Sequence, residues 1–447
     1  MDSQNVRLRF APSPTGHLHI GGLRTALYNY LFAKKHRGSF VLRIEDTDRS
    51  RYQEDAERDI LDSLAWAGLT FDEGPEVGGP HKPYFQSERS ALYLKHARRL
   101  IDSGKAYYAF DTPTEIENMR ARLQKAGNPS PRYDAITRMS MRNSITLPTE
   151  ETQRLLAGDS PHVIRLRVPR RETVRFEDLI RGWVSFESAG IDDQVLVKSD
   201  GMPTYHLANV VDDHEMGITH VIRGEEWLSS TPKHILLYDY LGWTPARMAH
   251  LPLILSPKGG KLSKRNADDL GIPVSVRQYR EGGYEPDALL NFLALLGWNP
   301  GDDRELFTLS ELVDAFSIER VGSSGVQFSL DKLRWFNQQV LRSRDPDKLA
   351  GSVQKDLLSA GLNFEDDYVR QVVSLMLDRV SFAGDLMTMG RYFFIEPEDY
   401  DPGGIAKLQP EAASYTGALA GAFESDAGDF SAGRVEEIVS KTAGEVD

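Results

Sequence analysis

The sequence predicts an α/β protein: a doubly wound parallel sheet, interrupted by an α+β insertion and followed by all-α C-terminal domains. Three observations carry this reading. Near the N-terminus Val6, Leu8 and Phe10 alternate as in a strand, and a Pro/Gly-rich stretch follows at 11–22. Leu23, Ala26, Leu27, Tyr30 and Leu31 then recur with helical spacing, before Gly38 as a helix stop and a second apolar strand at 40–44. This is the strand–helix–strand start of a parallel sheet. Residues 84–193 have helices and strands of their own and interrupt it. Beyond Leu255 almost every periodic segment has helical spacing.

Taken in order, a second helix carrying Ile60, Leu61 and Leu64 ends near Gly68. The polar stretch 124–131 reads as an exposed loop within the insertion. Arg165 and Arg167 alternate with Ile164, Leu166 and Val168, giving a strand with one apolar and one cationic face, continued by Arg170 and Arg171. A solvated strand face explains that pattern as well as an anion-binding one does. Strands at 195–198, 205–211 and 220–223 resume the sheet, with Ser199, Asp200 and Gly201 turning between the first two. Helical runs follow at 288–296, 309–316 and 330–340, and Val435, Ile438 and Val439 mark a last amphipathic helix.

At 447 residues and 40% hydrophobic, the chain has material for roughly three or four domains, each with a core. No stretch approaches the roughly 18 consecutive apolar residues of a membrane span, and no basic segment followed by an apolar run stands at the N-terminus. A cytoplasmic protein without membrane contact is expected. There is no cysteine. Disulfides, cysteine nucleophiles and thiolate zinc sites are therefore excluded, no structural zinc is expected, and any metal would need oxygen or histidine ligands. The net charge of −13 argues against a general nucleic-acid coat, because phosphate affinity needs clustered Lys and Arg.

Two stretches carry chemistry. The first, Ala11-Pro12-Ser13-Pro14-Thr15-Gly16-His17-Leu18-His19-Ile20-Gly21-Gly22, joins a strand to a helix N-terminus. Unpaired N–H groups and the positive dipole end suit a phosphate there, glycines admit a polyanion, and an imidazole can donate to a phosphate oxygen as charge builds on it. The second, Lys258-Gly259-Gly260-Lys261-Leu262-Ser263-Lys264-Arg265, is a cationic loop whose lysines can close over a triphosphate. Alone, such a string is more commonly a basic surface loop.

Together the two resemble the signatures of class I aminoacyl-tRNA synthetases, an HIGH-type sequence after the first strand and a KMSKS-type sequence after the last. Here they are His19-Ile20-Gly21-Gly22 and Lys261-Leu262-Ser263-Lys264-Arg265. Gly22 in place of the final histidine, and Arg265 at the end of the second signature, are similar to the glutamyl branch. So are Arg43-Ile44-Glu45-Asp46-Thr47-Asp48, the string from Tyr205 to His214, and Val221-Ile222-Arg223-Gly224-Glu225-Glu226-Trp227. On these residues the chain is identified as a member of the glutamyl-tRNA synthetase family, specifically in its first part and more diffusely after the second signature.

The resemblance implies ATP-dependent activation of L-glutamate to glutamyl-adenylate and transfer to the 3′ end of tRNA(Glu), with Mg²⁺ brought by ATP. A glutamate pocket needs a guanidinium for the side chain and a carboxylate for the ammonium. By resemblance Arg9, Tyr205 and Arg223 address the side-chain carboxylate with Asn209 nearby, while Ser13 and Glu45 hold the amino-acid end. ATP falls to Ser13, Gly16, His19, Gly21, Gly22, Glu226, Trp227, Lys261, Lys264 and Arg265, of which His19, Lys261 and Lys264 are the catalytic candidates. His17 is a weaker one. Asp46 and Asp48 read as solvated turn carboxylates rather than magnesium ligands, and Asp212, Asp213 and His214 as structural hydrogen bonding at a strand end.

The implied domains are a catalytic nucleotide-binding domain at 1–83 and 194–240, an acceptor-stem-binding insertion at 84–193, a connecting domain with the Lys261 loop at 241–322, and a helical anticodon-binding domain at 323–447. Contacts with tRNA are expected at Arg165, Arg167, Lys332, Arg334 and Trp335, although the last three also fit a helix face with its core aromatic. Arg379 is similar in placement to an anticodon-reading arginine. A monomer is expected, and the anticodon domain is expected to lack its usual last portion. Rival readings are a non-catalytic tRNA-binding paralogue, a glutamyl transferase acting on a modified tRNA base, and a small-molecule nucleotidylyltransferase. Intact His19, Lys261 and Lys264 oppose the first, the long helical C-terminal part the second, and the insertion the third.

Overall fold

Strands β1 (Arg7–Phe10) and β2 (Ser39–Leu42) pair in parallel, Arg7 opposite Ser39 and Phe10 opposite Leu42, and the helix Ile20–Lys35 connects them. Leu8, Phe10, Phe40 and Leu42 share one core with Leu23, Leu27 and Leu31 of that helix. The helix stops where expected, and two residues share the task. Arg37, left-handed at φ 54°, turns the chain. Gly38 N closes the helix end by donating to Ala33 O at 2.8 Å, and Gly38 also serves a close approach: Ser39 N donates to Val6 O at 2.8 Å, and a Cβ at Gly38 would collide with that carbonyl.

The computed structural model describes residues 6–48, 51, 53–158, 160–397, 402–405, 412–426 and 431–446. Beyond β2, strands β3 (Ala106–Ala109) and β4 (Val163–Leu166) pair antiparallel, β5 (Thr173–Asp178) and β6 (Gly182–Glu187) form a hairpin, and β7 (Val195–Val197) returns to β4. Strands β8 (His220–Gly224) and β9 (Arg247–Leu251) restore parallel pairing. Thr219 N donates to Arg7 O at 2.9 Å, which ties β8 to β1. Asp178 at the end of β5 pairs in parallel with Met248 of β9, giving the order β6-β5-β9-β8. The catalytic sheet thus recruits two strands from the segment 84–193.

Two strand expectations are corrected. Residues 205–211 lie in a helix, Tyr205–Glu215. Tyr and Val favour strands by type, but Leu207, Val210 and Val211 fall at i, i+3 and i+4 and are all fully buried, so the helical period wins. Residues 195–197 do form a strand, yet β7 belongs to the antiparallel sheet and does not resume the parallel one.

The expected C-terminal helices form at Pro286–Leu295, Leu309–Ala315 and Leu330–Ser343, with a short parallel pair, β10 (Ile254–Leu255) and β11 (Val326–Gln327), between earlier and later segments. One compact unit comprises Met1–Leu349 and Leu377–Gly384, the other Ala350–Met376 and Asp385–Asp447. The described part of the second unit is helical, with Val353, Leu357, Val369, Val373 and Leu386 buried. Among the described residues no helix is long and apolar enough to cross a membrane.

Because the Val6 carbonyl occupies the space beside Gly38, Gly38→Ala should destabilise the first unit by about 1–3 kcal/mol. A lowered urea midpoint in tryptophan fluorescence is the expected result; an unchanged midpoint would show that the approach is not close.

Candidate active site

The two signature stretches meet through backbone pairing. Ile20 N donates to Val274 O at 3.0 Å and Val276 N to Leu18 O at 2.8 Å, so the segment just after the lysine loop runs beside the first signature. Asp59 of the helix Glu54–Trp66 clamps the same loop, accepting from Leu18 N at 2.8 Å and from Arg277 Nε at 3.0 Å. The lysine stretch is a hairpin: Leu262 N donates to Ile254 O at 2.8 Å and Ser256 N to Gly260 O at 2.9 Å. Gly259 and Gly260 make its turn at φ 88° and 73°, and buried Leu262 anchors it in the core.

Two adjoining cavities result. One, of about 240 Å³, is lined by Arg9, Ser13, Glu45, Tyr205, Asn209 and Arg223 among others. The second, of about 400 Å³, has His19 on one wall and Lys261, Leu262 and Ser263 on the other. Gly21, Gly22, Thr25, Gly224 and Glu226 line both. Lys261 Nζ reaches Glu226 Oε1 at 3.5 Å across the cleft. A side chain at Gly224 would strike that Glu226 carboxylate, so only glycine lets Glu226 fold back into the junction.

His19 caps the helix Ile20–Lys35, its Nδ1 accepting from Gly21 N at 2.9 Å. Burial, reinforced by Lys261, holds this imidazole below its ordinary range. The neutral ring therefore carries its proton on Nε2, where it can donate to an anion in the larger cavity.

Beneath the smaller cavity lies a buried charge cluster. Asp213 Oδ1 accepts from Arg9 Nε at 3.0 Å and from Arg43 Nη1 at 2.7 Å, and Arg43 Nη2 reaches Glu45 Oε1 at 3.2 Å. The Asn209 amide oxygen accepts from Arg43 at 3.1 Å while its nitrogen donates to Asp213 at 3.3 Å. Asp212 takes Arg89, Gln86 and Tyr93. Burial alone would raise Asp213, but Arg9 and Arg43 outweigh it and hold it below the usual carboxylate range. Burial raises Glu45, and Arg43 and Arg9 offset that only in part. Glu45 thus faces the cavity short of positive charge. On the other wall Arg223 Nη1 donates to Tyr205 Oη at 2.9 Å, and the Tyr205 ring lies 4.3 Å from that of Trp227.

The structure thus brings together Arg9, Ser13, Gly21, Gly22, Glu45, Tyr205, Asn209, Arg223, Glu226 and Trp227 around one cavity and His19 with Lys261 around the next. It does not bring in all candidates. Gly16 and Arg265 line neither cavity, and His17 faces Asp59 at 3.4 Å. Lys264 opens the short helix Lys264–Asp268, and its side chain lies outside the described residues. The cationic face expected at β4 is not formed: Arg165 is buried, stacked 4.0 Å from the Tyr133 ring and bonded to Asp193 O, because both faces of β4 are covered. Arg167 is exposed. Lys332 sits 2.6 Å from Glu305 and 4.5 Å over the Trp335 ring, while Arg334 and Arg379 are exposed. Asp212 and Asp213 are structural as expected, but on a helix. Asp46 is less solvated than expected, accepting from Ser87 N at 2.8 Å. Sequence reasoning missed Thr25 and Arg24 in the cavity walls and the histidines behind Arg223. Single histidines in apolar segments give no signal before the chain folds.

A parallel sheet whose first helix start carries His19, facing a lysine hairpin across one cleft, is the architecture of a class I aminoacyl-tRNA synthetase. Residues 5–335 match the family described as "tRNA synthetases class I (E and Q), catalytic domain", and residues 348–447 match "Anticodon binding domain". The chain is 52% identical over 427 residues to the glutamate–tRNA ligase of Amoebophilus asiaticus, covering 92% of this chain and 83% of that protein. It is 48% identical over 461 residues to that of Cytophaga hutchinsonii, covering 100% and 89%. The crystal structure of a glutamate tRNA ligase from Elizabethkingia meningosepticum, in complex with its amino acid, superposes with a TM-score of 0.91 at 43% identity, covering 99% of this chain and 90% of that one. The chain belongs to the glutamate–tRNA ligase family.

Glu45 accepts an ammonium only as a carboxylate, and its pKa is raised. Affinity for an amino acid should therefore fall as pH drops through that raised value, starting above the pH at which an exposed glutamate protonates. Calorimetric titration with free L-glutamate from neutral to mildly acidic pH reads this; a flat profile would rule out Glu45 as the partner of an ammonium.

Proposed function

We propose that this chain performs the reaction of its family, ATP-dependent activation of L-glutamate to glutamyl-adenylate and transfer to the 3′ end of tRNA(Glu), with the two cavities dividing the substrates. The observation that carries the reading is the junction of the cavities at Gly21, Gly22, Gly224 and Glu226. A two-carboxylate amino acid fits the smaller space: Arg9, Tyr205 and Arg223 take its side-chain carboxylate, and Glu45 and Ser13 its amino-acid end. ATP takes the larger space, bringing the α-phosphorus to the junction. There the substrate α-carboxylate attacks in line and pyrophosphate leaves toward Lys261 and Lys264.

The chain contributes positioning and charge stabilisation rather than a nucleophile. His19 Nε2–H and the helix N-terminus meet the phosphate oxygens as charge builds, and the terminal ribose hydroxyl of tRNA then attacks the activated carbonyl. A magnesium ion carried on the phosphates of ATP would neutralise further charge there. We assign residues 84–193 to the acceptor stem and the C-terminal helices to the anticodon. The cytoplasm and a monomeric state follow from the same reading.

Glutamate-dependent pyrophosphate exchange, with and without tRNA, tests the assignment. His19→Ala should lower kcat on the order of a hundredfold while KM for glutamate moves by less than about threefold. A kcat near that of the unmodified chain would remove His19 from the chemistry. Arg379→Gln should relax discrimination between glutamate and glutamine tRNAs; unchanged charging of both would release Arg379 from anticodon reading.

A further inference from the structure

A buried guanidinium must satisfy five N–H groups, and carboxylates are the usual acceptors. Arg43 takes carboxylate acceptors, Asp213 at Nη1 and Glu45 at Nη2. Arg223 does not. Its Nε donates to His250 Nε2 at 3.0 Å, Nη1 to Tyr205 Oη at 2.9 Å and His234 Nδ1 at 3.3 Å, and Nη2 to Thr231 Oγ1 at 2.9 Å and the Trp227 carbonyl at 3.4 Å. All five acceptors are uncharged.

Each imidazole has its tautomer fixed by a partner on its far side. His250 accepts at Nε2 only if its proton is on Nδ1, and there Asp178 Oδ2 receives it at 2.6 Å. His234 accepts at Nδ1 only if its proton is on Nε2, which lies 3.1 Å from His206 Nδ1. His234, His250 and Asp178 are all buried. Burial keeps both imidazoles below their ordinary range, and so neutral. Asp178 reaches the guanidinium only through the width of a ring.

We propose that His234 and His250 are positioning residues for substrate selection: as neutral acceptors they orient Arg223 without cancelling its charge, so the cavity attracts a side-chain carboxylate and discriminates against the isosteric amide. The proposal rests on the reading of this cavity as the glutamate site. Tyr205 completes the device. Its oxygen accepts from Arg223, and burial keeps it protonated, so its own O–H is available to a ligand. A carboxylate accepts from this O–H and supplies the negative charge that Arg223, its N–H groups already engaged by neutral acceptors, still lacks, whereas an amide carries no charge and can turn its NH₂ group toward the site. A protein carboxylate in place of either ring would cancel Arg223 before the substrate arrived.

The test compares His250→Gln with His250→Glu, and the same pair at His234, in pyrophosphate exchange with glutamate and with glutamine. The Gln variants keep a neutral acceptor and should change KM for glutamate by no more than about threefold, whereas the Glu variants should raise it about thirtyfold. The Glu variants should also narrow the glutamate-over-glutamine ratio of kcat/KM by a similar factor and leave KM for ATP unchanged. Equal losses in both kinds of variant, or a parallel rise in KM for ATP, would mean the rings only fill space and would overturn the proposal. A measurement on the unmodified full chain does not depend on variant folding: ¹⁵N-histidine NMR at neutral pH should show His250 as the Nδ1–H tautomer and His234 as the Nε2–H tautomer. An imidazolium, or the opposite tautomer, at either position overturns the proposal. Arg223→Gln separates the two layers. An unmoved KM for glutamate would overturn the cavity reading and the proposal with it; a raised KM alongside equal losses in the histidine variants would overturn the proposal alone.

Discussion

The active cleft depends on a short stretch of backbone pairing between Leu18–Ile20 and Val274–Val276. Residues more than two hundred positions apart in the chain are thereby held side by side. The helix N-terminus with His19 then forms one wall, and the hairpin bearing Lys261 the other. Asp59 supports this contact from below by holding both Leu18 N and Arg277. Without that pairing the two basic elements would be unrelated surface features, and no closed space for a polyanion would exist between them.

The second organising constraint is how the cavity distributes charge. Arg43, fully buried, is compensated in charge by Asp213, Glu45 and Asp212, and with Asn209 these residues form a floor of opposed charges. Such a floor fixes geometry but offers little net field. Glu45 and Arg223 depart from balance in opposite senses. Glu45 lacks full compensation, and Arg223 is surrounded by neutral acceptors, so the space between them is polar along its length. A zwitterion with an extra carboxylate matches that polarity better than a neutral molecule of the same shape.

Much of the fold was legible because its elements obey simple periods. The strand–helix–strand start, the helix ending at Trp66 and the C-terminal helices all show uniform spacing. The misreading at 205–211 arose where residue type and period disagree: Tyr and Val suggest a strand, but the i, i+3, i+4 burial of Leu207, Val210 and Val211 required the helix. The site was legible where residues cluster in sequence, as around His19, Glu45, Arg223 and Lys261. It was not legible where support comes from single residues on distant elements. His234 sits in a helix, His250 in β9 and Asp178 at the end of β5, and nothing local distinguishes them from ordinary core residues. Arg165 failed for the converse reason: alternation indicates two faces, but it cannot show that both will be covered.

The hairpin β5–β6 lies within the stretch that the sequence separates from the catalytic halves, yet Asp178 crosses that border to bond His250 behind Arg223 and the smaller cavity. Modularity in this chain is therefore incomplete. A chimaera that borrowed residues 84–193 from a homologue would import a new carboxylate geometry behind Arg223 along with whatever that segment presents at its own surface. Exchange of the two properties by recombination is coupled through one side chain, and a donor segment would have to be chosen for what it places at the end of β5.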